Sequence, residues 1–183
     1  RSPKHAVVAV TDTIMRVLNK EELQAVLAHE IAHIKNRDIL TMTIASFTAM
    51  VASVIVQNIL FISLANRGEG SPPWILIGIV AGVVWVISTI LMLALSRYRE
   101  FAADRGSAYL TNNPNALISA LKKISSTMNN VPPQKRQEVE GANAFYIIPA
   151  ISGKSIMDLF ATHPPLEKRI ANLEKVIVEQ RGY

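Results

Sequence analysis

Between Asp38 and Arg67 the chain carries no charged side chain for about 28 residues, and between Glu69 and Arg97 none for about 27. At a rise of about 1.5 Å per residue, either run as a helix exceeds the roughly 30 Å hydrocarbon core of a bilayer. A buried helix of a soluble protein can also be apolar all round. Two such runs in succession around a short turn instead predict a pair of transmembrane helices. The connector "NRGEGSPP" holds glycines together with Pro72 and Pro73, residues that stop one helix and permit the next. The expectation is a hairpin whose outer ends emerge on one side. Those ends bear Lys35 and Arg37, then Arg97, Arg99 and Arg105, while the connector offers Arg67 offset by Glu69. The positive-inside rule therefore puts the outer ends in the cytoplasm.

This hairpin, residues 39–96, divides the remainder into residues 1–38 and 97–183, expected to form two parts of one catalytic domain. Half of all residues are hydrophobic and 18% are charged, and the apolar content is concentrated in the two runs. The net charge of +5 raises the question of nucleic acid. The basic residues, however, are scattered or paired with acids, as in "EKRIANLEK", and no basic stripe interleaved with aromatics is present. No nucleic-acid partner is expected; a basic rim facing anionic lipid suits the chain better. The chain has no cysteine, which removes disulfides and thiolate metal ligands and fits a reducing compartment. It opens on Arg1, with no signal peptide ahead of it, and reads as a piece of a longer chain.

Outside the apolar runs, "HAVVAV" reads as a short strand. Asn19 followed three residues later by Glu22 is an N-cap signal for a helix from about Lys20. That helix offers Leu23, Val26, Leu27 and Ile31 for packing and is expected to continue straight into the first span. "RYREFAADRGSAYL" continues the second span as helix. Asn113-Pro114 starts another, with Leu117, Leu121, Ile124 and Met128 on one face. "NNVPPQKRQEVEG" reads as a polar loop and "NAFYIIPAI" as a second strand. Pro164-Pro165 opens a last helix with Leu166, Ile170, Leu173 and Ile177 in a stripe.

The chemistry is concentrated in "LAHEIAHIKNRD". Helix positions four apart share a face, so His29 and His33 can aim both imidazoles at one zinc ion, which accepts nitrogen at about 2.0–2.1 Å. Glu30, one residue around, stands beside the metal without having to bind it, where a carboxylate can take a proton from water. A catalytic zinc needs a third protein ligand. From His33 to the bilayer is roughly 6–12 Å of helix, and from the end of the second span to Glu100 is roughly 6 Å. Crossing and returning thus brings Glu100 to the depth of the histidines. Glu22 lies about 10 Å along the histidine helix itself, and Glu69 lies at the far membrane face. Asp104, one turn beyond Glu100, is placed to hold a ligand histidine by its second ring nitrogen. The competing reading makes Glu100 and Asp104 a solvated face paired with Arg97, Arg99 or Arg105. His163, at a helix start, is a candidate for stabilising the oxyanion of a tetrahedral intermediate, or else a cap or surface residue. Arg169 is either an anion partner or a surface charge.

In order, "HEIAHIKNRD", a hydrophobic hairpin, "SRYREFAADRGSAYLTNNPNALISALKKI" and "THPPLEKRI" resemble the HtpX family of membrane zinc proteases, prokaryotic relatives of the CAAX prenyl proteases. "RSPKHAVVAVT" at the start extends the likeness over nearly the whole chain. HExxH alone is shared by many families; HExxH, a hairpin and then ExxxD is far more specific. The resemblance implies a mainly α, zincin-like metalloprotease domain with an inserted transmembrane hairpin and a small β element. It implies one zinc ion per chain on His29, His33 and Glu100, with Glu30 as general base, Asp104 behind a ligand and His163 assisting the transition state. It implies a stress-linked endopeptidase of a prokaryotic inner membrane, multi-pass, that cuts misfolded or damaged membrane proteins on the cytoplasmic side. One departure stands out. Family members carry about two further hydrophobic segments and a strand ahead of the Arg-x-Pro that is here Arg1-Ser2-Pro3. If that strand holds extended substrate by edge pairing, this stretch alone binds metal yet cleaves poorly.

Three other readings share features with this sequence. A site-2-type intramembrane protease would take a ligand from an Asp-Gly pair, which the chain does not contain, and "NKEELQAV" is too polar for lipid. A CAAX-type prenyl protease shares the motif, but two spans give no sign of a prenyl-accommodating chamber. A catalytically inactive, zinc-stabilised membrane scaffold would keep the metal and lack turnover.

Overall fold

The computed structural model describes residues 3–65, 74–129 and 164–182. The chain divides into two compact units, Arg1–Asp38 with Arg97–Tyr183, and Ile39–Ser96. Among the described residues the regular structure is a 3-10 turn, Pro3–His5, and six α-helices: α1 (Asp12–Val17), α2 (Lys20–Lys35), α3 (Asp38–Ala65), α4 (Trp74–Thr111), α5 (Pro114–Asn129) and α6 (Leu166–Arg181). The protein is mainly α, and no β element occurs among the described residues. "HAVVAV" is the correction. Its valines have strand character, but a strand exists only as part of a ladder, and residues 6–11 follow the 3-10 turn as irregular chain with no pairing partner among the described residues, Val7 being exposed. The connector at 66–73, the polar loop, "NAFYIIPAI" and His163 lie outside the described residues.

In the first unit, α2 begins with a full capping box. Asn19 Oδ1 accepts from the Glu22 N–H at 2.9 Å, and Glu22 Oε2 accepts from the Asn19 N–H at 2.9 Å. Two of the orphan donors of a helix start are thereby satisfied. Glu22 is also buried, and its carboxylate takes bonds from α5: Ser119 Oγ at 2.6 Å and Lys123 Nζ at 2.8 Å. Burial opposes its charge, but the bonds from Lys123, Ser119 and Asn19 outweigh that and hold its pKa at about 2. One side chain therefore both starts the histidine helix and ties it to α5.

The core between these helices comprises Leu18, Ala25, Val26, Ala108, Ala116, Leu117, Ile118, Ala120, Leu121, Leu173 and Val176. Leu117, Leu121 and Leu173 are fully buried, each contributing on the order of 1.5–3 kcal/mol. Where α4 meets α2, Ser107 Oγ donates to the buried Ala25 carbonyl at 2.6 Å, and a Cβ added to Gly106 would stand 2.7 Å from the Ala32 Cβ. After α4 the chain turns through Asn112 at φ 51°, and Asn113 Oδ1 accepts from the Ala116 N–H at 3.2 Å to open α5 at Pro114.

The histidine helix does not run on into the apolar one. It ends at Lys35, the Asn36 N–H closes onto the Ala32 carbonyl at 2.9 Å, and Arg37 at φ 55° turns the backbone before α3 starts at Asp38. An unbroken helix would set Asp38 about 140° around the axis from His33. The break removes that offset and lets the two side chains meet.

The second unit holds most of α3 and the first part of α4. Both helices are long and apolar enough to cross a membrane, and none of either apolar window is buried inside the protein. Their large side chains face outward, Phe47 and Ile55 on α3 and Trp85 and Leu91 on α4 among them. The polar side chains fold back onto their own helix: Thr43 Oγ1 donates to the Ile39 carbonyl at 2.7 Å, Asn58 Nδ2 to Val54 at 2.7 Å and Thr89 Oγ1 to Trp85 at 2.8 Å. Such self-satisfaction is what a bilayer demands of a spanning helix.

Candidate metal centre

His29 and His33 lie one turn apart on α2, and their rings stand edge to face with centroids 4.6 Å apart. Their Nε2 atoms converge to 3.1 Å. Glu100, on the first-unit part of α4, brings Oε2 to 3.7 Å from His29 Nε2 and Oε1 to 3.6 Å from His33 Nε2. One ligand atom from each residue lies within 4.8 Å of the others, making this a group able to hold a metal ion. Two donors at zinc-like bond lengths in a tetrahedron stand about 3.3–3.4 Å apart, and the three separations bracket that value. Two nitrogens and one oxygen form a suitable donor set for such an ion.

The opposite ring nitrogens face carboxylates. His29 Nδ1 is 3.0 Å from Asp104 Oδ1, and His33 Nδ1 is 2.5 Å from Asp38 Oδ2. A carboxylate on Nδ1 places the proton there and leaves the Nε2 lone pair for a metal. Each carboxylate is held in turn by an arginine. Asp104 receives a fork from Arg169 of α6, Nε to Oδ2 at 2.9 Å and Nη2 to Oδ1 at 2.5 Å. Asp38 lies 3.1 Å from Arg99 Nε. Arg169 Nη1 is also 3.7 Å from Glu100 Oε2.

The two arms differ in depth. His29, Asp104 and Arg169 are essentially inaccessible, whereas the His33 side chain keeps 18% of its surface exposed. Burial works against a charged His29 imidazole, but the Asp104 and Glu100 carboxylates outweigh it and raise the pKa above the ordinary histidine value. Burial likewise opposes the Arg169 charge, and Asp104 and then Glu100 more than restore it. The carboxylate density that favours a proton on His29 also favours a cation at the centre.

Of the residues singled out from sequence, the structure brings together His29, His33, Glu100 and Asp104; Glu30 follows His29 on α2 and is partly exposed. The arginine of Asp104 is neither Arg97, Arg99 nor Arg105. Arg99 goes to Asp38, and Arg105 goes to Glu179 of α6 at 2.6 Å. Arg169 is an anion partner rather than a surface charge. Asp38 is the residue that sequence reasoning missed. The available signal was an acid five places after the second histidine, next to Asn36-Arg37.

Two nitrogen donors and one oxygen donor leave a fourth position open, and a neighbouring glutamate stays free of the donor set. That division of labour defines the HExxH metallopeptidase class. Comparison with known proteins narrows the class: the chain belongs to Peptidase family M48, whose profile matches residues 3–177. It is 54% identical over 178 residues to Protease HtpX homolog 2 of Methanosarcina acetivorans, covering 96% of this chain and 60% of that relative. To the Protease HtpX homolog of Moorella thermoacetica it is 51% identical over 180 residues, with 96% and 60% covered. To that of Pyrococcus furiosus it is 41% identical over 185 residues, with 98% and 62% covered. The chain thus spans about 60% of the length of the first of these relatives. No solved structure matches it.

Proposed function

We propose that the chain is the catalytic part of a membrane-embedded zinc endopeptidase that cleaves misfolded or damaged membrane proteins on the cytoplasmic side of a prokaryotic inner membrane. The observation that carries this reading is the convergence of His29 Nε2, His33 Nε2 and the Glu100 carboxylate, with Glu30 adjacent on the same helix. Zinc held there, one ion per chain, would polarise the scissile carbonyl and make water acidic enough to react near neutral pH.

The protein's own groups do the rest. Glu30 takes the proton of the attacking water and returns it to the leaving amine, since a carboxylate beside the metal but outside its donor set has its oxygens available for that transfer. Asp104 and Arg169 hold His29 with Nε2 facing the site. His163 contributes to stabilising the oxyanion; its part rests on its place before Pro164-Pro165. The apolar α3 and α4 and the basic residues flanking them support the membrane setting and its orientation.

The test is Glu30→Gln in the full-length protein, assayed on a membrane-protein substrate and for bound zinc. Turnover should fall by roughly 10²–10⁴-fold with about one zinc per chain retained. Undiminished cleavage would remove Glu30 from the mechanism.

A further inference from the structure

The peptidase mechanism proposed above assigns nothing to Asp38 and Arg99, yet Asp38 touches His33 and Arg99 touches Asp38. Asp38 is buried although it is the first residue of an apolar helix, and its Oδ2 contacts both His33 Nδ1 and Arg99 Nε. An acid that merely began a helix or made a surface pair would stay in water. Here it sits 2.5 Å from the ring of a proposed metal donor. Arg99 is the residue before Glu100. Successive helix residues point about 100° apart, so the rotation of α4 that lets Arg99 reach Asp38 also turns Glu100 toward the imidazoles. The His29 side repeats the pattern of ring, carboxylate and guanidinium with Asp104 and Arg169.

We propose that Asp38 and Arg99 form a positioning pair for the metal centre, with Asp38 aiming His33 and, through Arg99, setting the register at which Glu100 meets both histidines. One carboxylate thereby governs two of the three donors. The pair also marks where the chain leaves the first unit, at Asp38, and where it returns, at Arg97. The inference rests on the zinc reading above and adds to it residues that touch neither substrate nor metal.

The test uses full-length protein in detergent micelles, with zinc affinity measured by competition with a chromophoric chelator and the donor geometry read from the visible absorption of the cobalt-substituted form. Asp38→Ala should weaken zinc binding by about 10–100-fold and shift the cobalt bands. Asp38→Asn should fall between, because its amide oxygen still accepts from Nδ1–H without carrying charge. Arg99→Gln should lose less than Asp38→Ala, and Arg99→Lys should recover part of that loss. A purely structural role would lower thermal stability and leave affinity and spectrum unchanged. Wild-type affinity and wild-type cobalt bands in the Asp38 variants overturn the pair; if Asp38→Ala does not fold, Asp38→Asn decides. Wild-type protein that binds no zinc overturns the zinc reading and this inference together, whereas failure in the variants alone leaves that reading standing.

Discussion

Among the described residues of 39–96, Thr43, Asn58 and Thr89 bond to carbonyls a turn away on their own helix. In the unit that carries the histidines Thr111 and Thr127 do the same, but other polar side chains bond across the sequence: Ser107 to Ala25, Ser119 to Glu22 and Arg169 to Asp104. The outward surfaces differ in the same sense, with Phe61, Trp85 and Leu91 exposed on one side of the comparison and a closed core with buried ion pairs on the other. The two regions suit different solvents. A helix facing lipid has to satisfy its polar groups alone. A helix in a water-surrounded bundle can lend them to neighbours, and a constellation of charges can be assembled only there.

The largest effect is expected when a charge is removed from the buried set. Arg169→Ala strands Asp104 inside the core beside Glu100, and the loss of stability should be about 3–5 kcal/mol, read from denaturant unfolding in micelles. Arg105→Ala is the control. Its pair with Glu179 is exposed, and its removal should leave the unfolding midpoint where it was. Equal effects from both arginines would mean that the buried fork has no special standing.

Next in size is the reverse experiment, a charge added to the outward apolar surface. Ile55→Lys on α3 should cost roughly 2.5–3.5 kcal/mol of insertion free energy, measured as the inserted fraction in a translocation assay. Insertion at the wild-type level would refute the lipid-facing reading of α3.

The smallest effect concerns Glu22. Glu22→Gln keeps the shape but gives up the charge that Lys123 and Ser119 address, and it should destabilise by about 1–2 kcal/mol at neutral pH. The sign of its pH dependence follows from the depressed pKa. The folded value is about 2 against an ordinary 4.5, so the wild-type contribution is complete above about pH 4.5 and declines as pH falls toward 2. The variant should lack this part of the acid slope, and parallel acid-unfolding curves for the two proteins would argue against a charged Glu22 in the fold.

These positions also show which features local sequence carries. Asn19 and Glu22 form their capping box within three residues of each other, and Pro114 opens α5 where Asn113 caps it. Those are short-range signals and could be read directly. His29 and His33 could be paired from helical spacing, and Glu100 could be singled out by counting up one apolar run and down the next. Asp104 was also within reach, one turn beyond Glu100. Its arginine was not, because Arg169 lies 65 residues away and no periodicity spans that interval. Asp38 was hidden for another reason. Its meeting with His33 depends on a break at Asn36-Arg37 that carries neither glycine nor proline. In "HAVVAV" the error runs the other way, because β-branched residues advertise a strand while a partner strand is a property of the whole fold.

Where α4 crosses α2, Gly106 lies directly against Ala32. The spacing of the two backbones is dictated there by side chains that are nearly absent, so even a single methyl group has no room to enter. A wedge between the two rods at this point would draw the carboxylate of Glu100, about 1.7 turns away on α4, off the imidazoles. Tolerance to change at the centre is therefore decided at a place that holds no chemistry at all.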